Sequence, residues 1–208
     1  MEALALMILG LDPSLTAFGW FLGEFNSEWR LARVDSGCIE TKPSKDRRVL
    51  AADDITRRVR EICEELLGKL KEHTVSVILT EAAEEFLREK TGQKGAIRYG
   101  IAHGIPGSLA SIIGVPIYTV KAVSARKAIL GKPNGWTKPK IEKAVMPLIE
   151  GFKQETSQNR RWGVSDAALC ALYSQHHPVA SAILEVSHGR KPGSSARSLR
   201  HQQCLFGG

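Results

Sequence analysis

Apolar and polar positions divide the chain into short runs. Ala5–Asp12 (ALMILGLD) is an apolar run closed by Asp12-Pro13 and reads as a buried strand. Phe18–Phe25 and Trp29–Ile39 read as two more strands, the second partly alternating. Only the turn Asp12–Thr16 separates the first two, so a hairpin is expected. Asp46–His73 carries Val49, Leu50, Ile55, Val59, Ile62, Leu66 and Leu70 at spacings near three and four, which predicts a long amphipathic helix. Val75–Thr80 is a fourth buried strand, and Pro116–Val120 a fifth. Gly95–Gly114 between them reads as a helix rich in small residues in spite of Pro106. Ala122–Leu130 and Lys138–Ile149 read as helices joined by the polar turn Gly131–Trp136. Val164–His176 reads as a further helix, capped near Val164 or Ser165.

Three antiparallel strands followed by alternating helices and strands predict an α/β fold, a mixed five-stranded sheet with helices on both faces. Residues 1–183 are expected to form one domain. Residues 184–208, dominated by Gly, Ser, Arg and His toward the end, read as a flexible basic tail. With 208 residues, the chain is long enough to bury a core without disulfides.

Composition narrows the function classes. No apolar run approaches the ~20 residues that span a bilayer, so no membrane association is expected. Met1–Asp12 lacks a basic n-region and a small-residue cleavage site, so a secretory signal is not expected and a cytoplasmic location is. Cys38, Cys63, Cys170 and Cys204 form no CxxC pair, and the six histidines complete no zinc pattern. Reduced structural thiols are the simpler reading. No Gly-rich phosphate loop is present.

The formal net charge is +7, and it is unevenly placed. Residues 120–163 hold ten Lys or Arg against three acids, and 184–208 hold four against one. The remainder is net −3. Such a block is either a solvated surface or a phosphate-binding face.

Three acids occupy costly positions. Asp12 ends the first strand, Glu81 ends the fourth, and Asp166 opens the last helix. A charge abutting an apolar strand needs a partner or a cation. If the two strands are neighbours, the carboxylates converge at one sheet edge, and convergent carboxylates without a basic partner suit Mg²⁺. Taken singly, Asp12 before Pro13 equally suits a turn, Glu81 a cap for the segment after it, and Asp166 a first-turn acid.

These residues also carry a family pattern. ILGLDPSLTAFGW, VILTE, IRYGIAHG, the stretch from Tyr118 to Met146 and SDAALCAL succeed one another in order over residues 7–176. In that order they resemble the RuvC family of Holliday junction resolvases, within the ribonuclease H-like superfamily, and its phage-type members above all. The resemblance implies a ribonuclease H-like fold and Mg²⁺-dependent phosphodiester hydrolysis with two ions, Mn²⁺ serving as a substitute. It implies Asp12, Glu81 and Asp166 as catalytic metal ligands, with Asp12 bridging both ions. It further implies a homodimer acting on branched DNA, a four-way junction. Lys138 or Lys140 would meet the phosphate next to the site, and Lys121, Arg126, Lys127 and Lys132 would track the backbone. Phe86, Tyr99 and Trp136 are candidate wedges at a branch point.

The chain departs from the family at Gly163, where a second acid or a His is usual three residues before the last Asp. Glu84 or Glu85 is a candidate replacement. His176 and His177 lie about three turns beyond Asp166, too far along the helix. Three rival readings stand beside the resolvase: a flap, fork or general branched-DNA nuclease on the same fold, a junction-binding protein that does not cut, and a sugar-kinase-like or actin-like ATPase.

Overall fold

The computed structural model describes residues 7–26, 28–83 and 87–187. Strand β1 (Met7–Asp12) turns through Pro13–Thr16 into β2 (Ala17–Phe25), which returns antiparallel and pairs with β3 (Leu31–Glu40). Helix α1 (Ala51–Leu70) crosses to β4 (Val75–Glu81), which lies parallel to β1 on its other side. Helix α2 (Leu87–Ile113) leads to β5 (Ile117–Val120), parallel to β4. Helices α3 (Ala122–Leu130) and α4 (Lys138–Val145) come after it. A two-residue strand, β6 (Ile149–Glu150), pairs with the start of β3 before α5 (Gln158–Tyr173) and α6 (Pro178–Ser187).

The sheet therefore has six strands in the order β5-β4-β1-β2-β3-β6, not five. The sixth comes from the end of the segment read as one helix to Ile149. Pro147 offers no amide hydrogen and α4 gives way to a 3-10 turn over Met146–Leu148, freeing Ile149 to pair with Leu31. Helix α1 begins at Ala51 rather than Asp46. Asp46 instead accepts the Arg48 backbone N–H in a local turn, and Leu50 is 68% exposed. Helix α6 carries regular structure through Ser187, past the expected domain limit at 183. The remainder of the expected tail, 188–208, lies outside the described residues.

Strand period two sorts the side chains. On β1, Leu9 and Leu11 join a core with Phe18, Ile62, Leu66, Ile105 and Leu109 under α1 and α2. Ile8 joins the opposite core, with Phe21, Val77, Leu79 and the α5 residues Ala167, Ala168 and Ala171. The same parity places Asp12 with Ile8 and Glu81 with Val77 and Leu79, on the α5 face.

Helix α5 lies closer to the sheet than ordinary side chains permit. A Cβ on Gly10 would stand 2.0 Å from the Ala167 carbonyl oxygen, and one on Gly19 would stand 2.2 Å from that of Gly163. Both neighbours are backbone, which cannot turn aside. Gly163 itself is less constrained, since its Cβ would meet Gly19 Cα at 3.4 Å, an ordinary contact. Gly10→Ala is therefore expected to cost about 3 kcal/mol, read from denaturant midpoints. Gly163→Ala should stay within about 1 kcal/mol of wild type, because a helical Ala is intrinsically favoured over Gly by a similar amount.

Candidate active site

Parallel pairing sets Leu11 opposite Thr80, so Asp12 and Glu81 leave adjacent strand ends at the same edge. Helix α5 supplies the third acid. It begins at Gln158, with the Ser157 hydroxyl accepting from the Arg160 N–H, and not near Val164 as the sequence pattern predicts. Asp166 is thus a mid-helix residue, 5% exposed, rather than the helix's opening acid. The polar Asn159–Arg161 stretch, outside the helix expected from Val164, belongs to the helix's first turn. Arg160 reaches Glu40 at 3.1 Å and Arg161 reaches Glu142 at 3.2 Å, tying α5 to β3 and α4.

The three carboxylates act on one another. Asp12 and Glu81 share a hydrogen bond, and burial holds both above the usual carboxylate range. The charges of Asp166 and Glu81 push Asp12 further up, and Asp166 does the same to Glu81. The bond raises Asp12 and partly offsets the rise of Glu81, so Asp12 is the donor and Glu81 the acceptor. Burial also raises Asp166, against the opposing pull of Lys138 and Arg126.

The expected absence of a basic partner does not hold. The Lys138 ammonium, at the first turn of α4, bonds directly to Asp166. Burial pulls its pKa down, but the charges of Asp166, Asp12 and Glu81 hold it above the ordinary lysine range. Arg126 on α3 adds a second positive charge that favours ionised Glu81 and Asp166, and its buried Nε has no hydrogen-bond partner among the described residues. Fully ionised, three acids against two cations would leave the cluster net negative. Among the described residues no group of three or more His, Cys, Asp or Glu is spaced to hold an ion by itself. Glu84, Glu85 and Phe86 lie outside them.

Thiols do not enter the chemistry. Burial pushes Cys38 up to about 12, with Glu40 and Asp12 adding to it. Burial and the three carboxylates raise Cys170 as well. Of the remaining candidates, Lys121, Lys127, Lys132 and Lys140 are exposed on α3, the turn after it and α4. Trp136 folds back, donating to the Lys132 carbonyl at 2.8 Å under the Lys132 ammonium. Tyr99 rests on His103, 4.1 Å between ring centroids.

Two supporting residues are not visible in the sequence pattern. Arg58, 3% exposed on α1, donates to the Leu15 carbonyl at 2.8 Å and to the Thr41 hydroxyl at 2.7 Å, and Thr41 also donates to Leu15. That clamp fixes the loop leaving Asp12. The His103 ring bonds the Glu81 backbone from α2. A buried Arg within an amphipathic helix is the one signal that could have revealed the clamp.

The fold and its carboxylate edge define an α/β protein of the ribonuclease H-like class. Within that class the chain is related to RuvC. It is 26% identical over 182 residues to the crossover junction endodeoxyribonuclease RuvC of Geobacter sp. (strain M21), covering 86% of this chain and 98% of the relative. It is 28% identical over 172 residues to that of Ehrlichia ruminantium, covering 80% and 96%. The solved structure of T. thermophilus RuvC in complex with Holliday junction substrate shares the fold, with a TM-score of 0.62 and 18% identity over 82% of this chain and 96% of that one. The yeast mitochondrial Holliday junction resolvase Ydc2 does so with a TM-score of 0.57 and 14% identity, over 79% and 75%. No family model matches the chain.

The raised carboxyl pKa values make a stability prediction. The folded, metal-free protein holds protons that the unfolded chain releases, so its stability falls as pH rises from the ordinary carboxylate range through the folded values. Asp12→Asn removes one buried like charge. It is expected to raise the melting temperature of the metal-free protein at pH 7, a gain of about 1 kcal/mol appearing as roughly 2–4 °C. The gain should shrink as pH falls and vanish below about pH 3, where Asp12 carries a proton in both states. Calorimetry in EDTA reads both.

Proposed function

We propose that this protein is a structure-selective endonuclease that resolves four-way DNA junctions by paired phosphodiester hydrolysis, acting as a homodimer. The observation that carries this reading is the convergence of Asp12, Glu81 and Asp166 at one sheet edge, beside Lys138 and Arg126.

The donor set is all carboxylate oxygen, which fits a hard divalent cation, Mg²⁺ with Mn²⁺ as substitute. Asp12, Glu81 and Asp166 would hold two such ions, and the metal would supply activation of a water and neutralisation of the leaving oxygen. The chain's own residues do the rest. The Asp12–Glu81 pair gives up its proton to present two ionised carboxylates. Lys138 leaves Asp166, and its side chain, 47% exposed, has a path toward solvent and an incoming phosphate. Arg126 offers its unpartnered Nε to the same charge. Lys121, Lys127, Lys132 and Lys140 hold the flanking backbone without reading sequence.

Helix α2 supports the dimer. Ile97, Ile101 and Ile112 are 53%, 36% and 63% exposed along one stripe, and Gly104 lies within it with open space where a Cβ would stand. A second copy would bury that stripe, and a two-fold enzyme matches a two-fold junction. No described helix is long and apolar enough to cross a membrane. We place the enzyme in the cytoplasm of a bacterial or phage-infected cell, where DNA is available. Residues 1–183 are taken as the nuclease domain, with the basic tail as an added DNA contact.

Gly163 favours a second reading, a junction-binding protein that does not cut. One assay separates the two. Labelled four-way junction, fork, flap and linear duplex are incubated with the protein in Mg²⁺ or EDTA. Symmetric nicking of the junction is expected with Mg²⁺ alone, and Asp12→Asn should reduce cleavage to background while junction binding persists. Binding without cutting supports the second reading, and equal cutting of linear duplex excludes a resolvase. Ile97→Asp/Ile101→Asp should sediment as a monomer where the parent sediments as a dimer.

A further inference from the structure

Charge counted in long blocks hides a second basic stretch. Residues 42–60 hold seven Lys or Arg against three Asp, inside a part of the chain that is acidic on average. Two of those acids are consumed locally. Asp46 pairs with Arg48 at 2.8 Å, and Asp54 accepts from Arg57 at 2.7 Å and from the Ser44 backbone at 2.9 Å. The third, Asp53, is exposed to solvent. Lys45 and Arg47 have no ion-pair partner among the described residues.

These two cations line a surface pocket of about 230 Å³ between the β3–α1 loop and the first turn of α1, together with the already paired Asp46 and Asp54. Arg98 enters the same pocket from α2, also without an ion-pair partner among the described residues. The buried Arg58 lies close enough to be affected. Burial lowers its pKa, Asp54 partly offsets that, and the charge of Arg98 lowers it further. In the lining itself three cations, Lys45, Arg47 and Arg98, stand against two acids, Asp46 and Asp54, that already pair with Arg48 and Arg57.

Its place in the fold matters. Glu40, at the end of β3, pairs with Ala17, and Asp12 pairs with Gly19, so the β3–α1 loop leaves the carboxylate edge of the sheet. Arg58 ties that loop to Leu15, three residues beyond Asp12. The pocket thus sits on the α1–α2 side of the edge, whereas Lys121, Arg126, Lys127, Lys132, Lys138 and Lys140 come from α3, α4 and the turn between them.

We propose that the pocket lined by Lys45, Arg47 and Arg98 is a second DNA-backbone site, taking a phosphate on the opposite side of the carboxylate edge from the α3–α4 cations. The proposal rests on the nuclease reading above. Guanidinium groups suit it because their forked N–H donors match phosphate oxygens. A strand gripped on both sides of the edge is fixed in register over the carboxylates.

Fluorescence anisotropy of labelled four-way junction in EDTA, over a series of salt concentrations, tests it. Arg47→Ala/Arg98→Ala should weaken binding about tenfold at moderate salt and reduce the log–log salt slope by about 1. Lys69→Ala/Lys71→Ala removes the same charge at the far end of α1 and should leave the slope unchanged. Equal slopes for wild type and Arg47→Ala/Arg98→Ala overturn the pocket alone, as does an equal loss in both double variants, which would mark a general field. A wild type that binds no DNA overturns the nuclease reading and the pocket together. Inorganic phosphate distinguishes the ligand's source. If it raises the melting temperature of wild type but not of Arg47→Ala/Arg98→Ala while the DNA slopes coincide, the pocket holds free phosphate and the proposal fails.

Discussion

Helix α5 rests on the sheet through backbone alone, at Gly10 of β1 and Gly19 of β2. Helix-to-sheet packing normally leaves a layer of side chains between the two, and here that layer is absent where β1 and β2 pass beneath the helix. The close approach brings Asp166, a mid-helix residue, level with the strand ends that carry Asp12 and Glu81. It also forces α5 to present small residues to the sheet, which is why Gly163, Ala167 and Ala171 recur at fourfold spacing along it. A side chain at either strand glycine would lift the helix and with it the third carboxylate.

The cluster built on that contact works against the stability of the protein that carries it. Burying three acids together raises their pKa values, and Lys138 and Arg126 offset only part of the repulsion. Once the Asp12–Glu81 pair is ionised, the residual negative charge would favour a cation, as the proposed function requires. Lys138 has a dual character in this setting. Here it neutralises Asp166, and in the proposed mechanism its released ammonium would stand beside the bound phosphate. A site arranged for its task rather than for stability is a common trade in enzymes.

The edge is held from both faces of the sheet. On the α5 side the Arg160–Glu40 and Arg161–Glu142 pairs lock the helix to β3 and α4. On the other side Arg58 and Thr41 clamp Leu15, and His103 meets the Glu81 backbone. The loop after Asp12 is therefore not left to its own turn preferences. In the proposed arrangement, exposed basic groups flank the same edge on both sides.

Five of the six strands, their mixed sheet and the positions of Asp12 and Glu81 at strand ends were legible in the sequence, because short apolar runs bounded by turn residues announce a strand, whereas the adjacency of β1 and β4 entered only as a condition. The motif order announced the family for the same reason, as it tracks the elements. The start of α5 was not legible, since Asn159–Arg161 is polar on every side and carries no apolar period, although Ser157 caps it and Arg160 and Arg161 pair with Glu40 and Glu142. Strand β6 is two residues long and exists only because Leu31 offers it a partner. The Lys138–Asp166 bond joins residues 28 apart in sequence, and the pocket of Arg47 and Arg98 joins two separate elements. Local periodicity determined which elements form and which acids end them. Tertiary structure alone decided which charges meet, because Coulomb energy depends on distance through space and burial, and neither is a property of position along the chain.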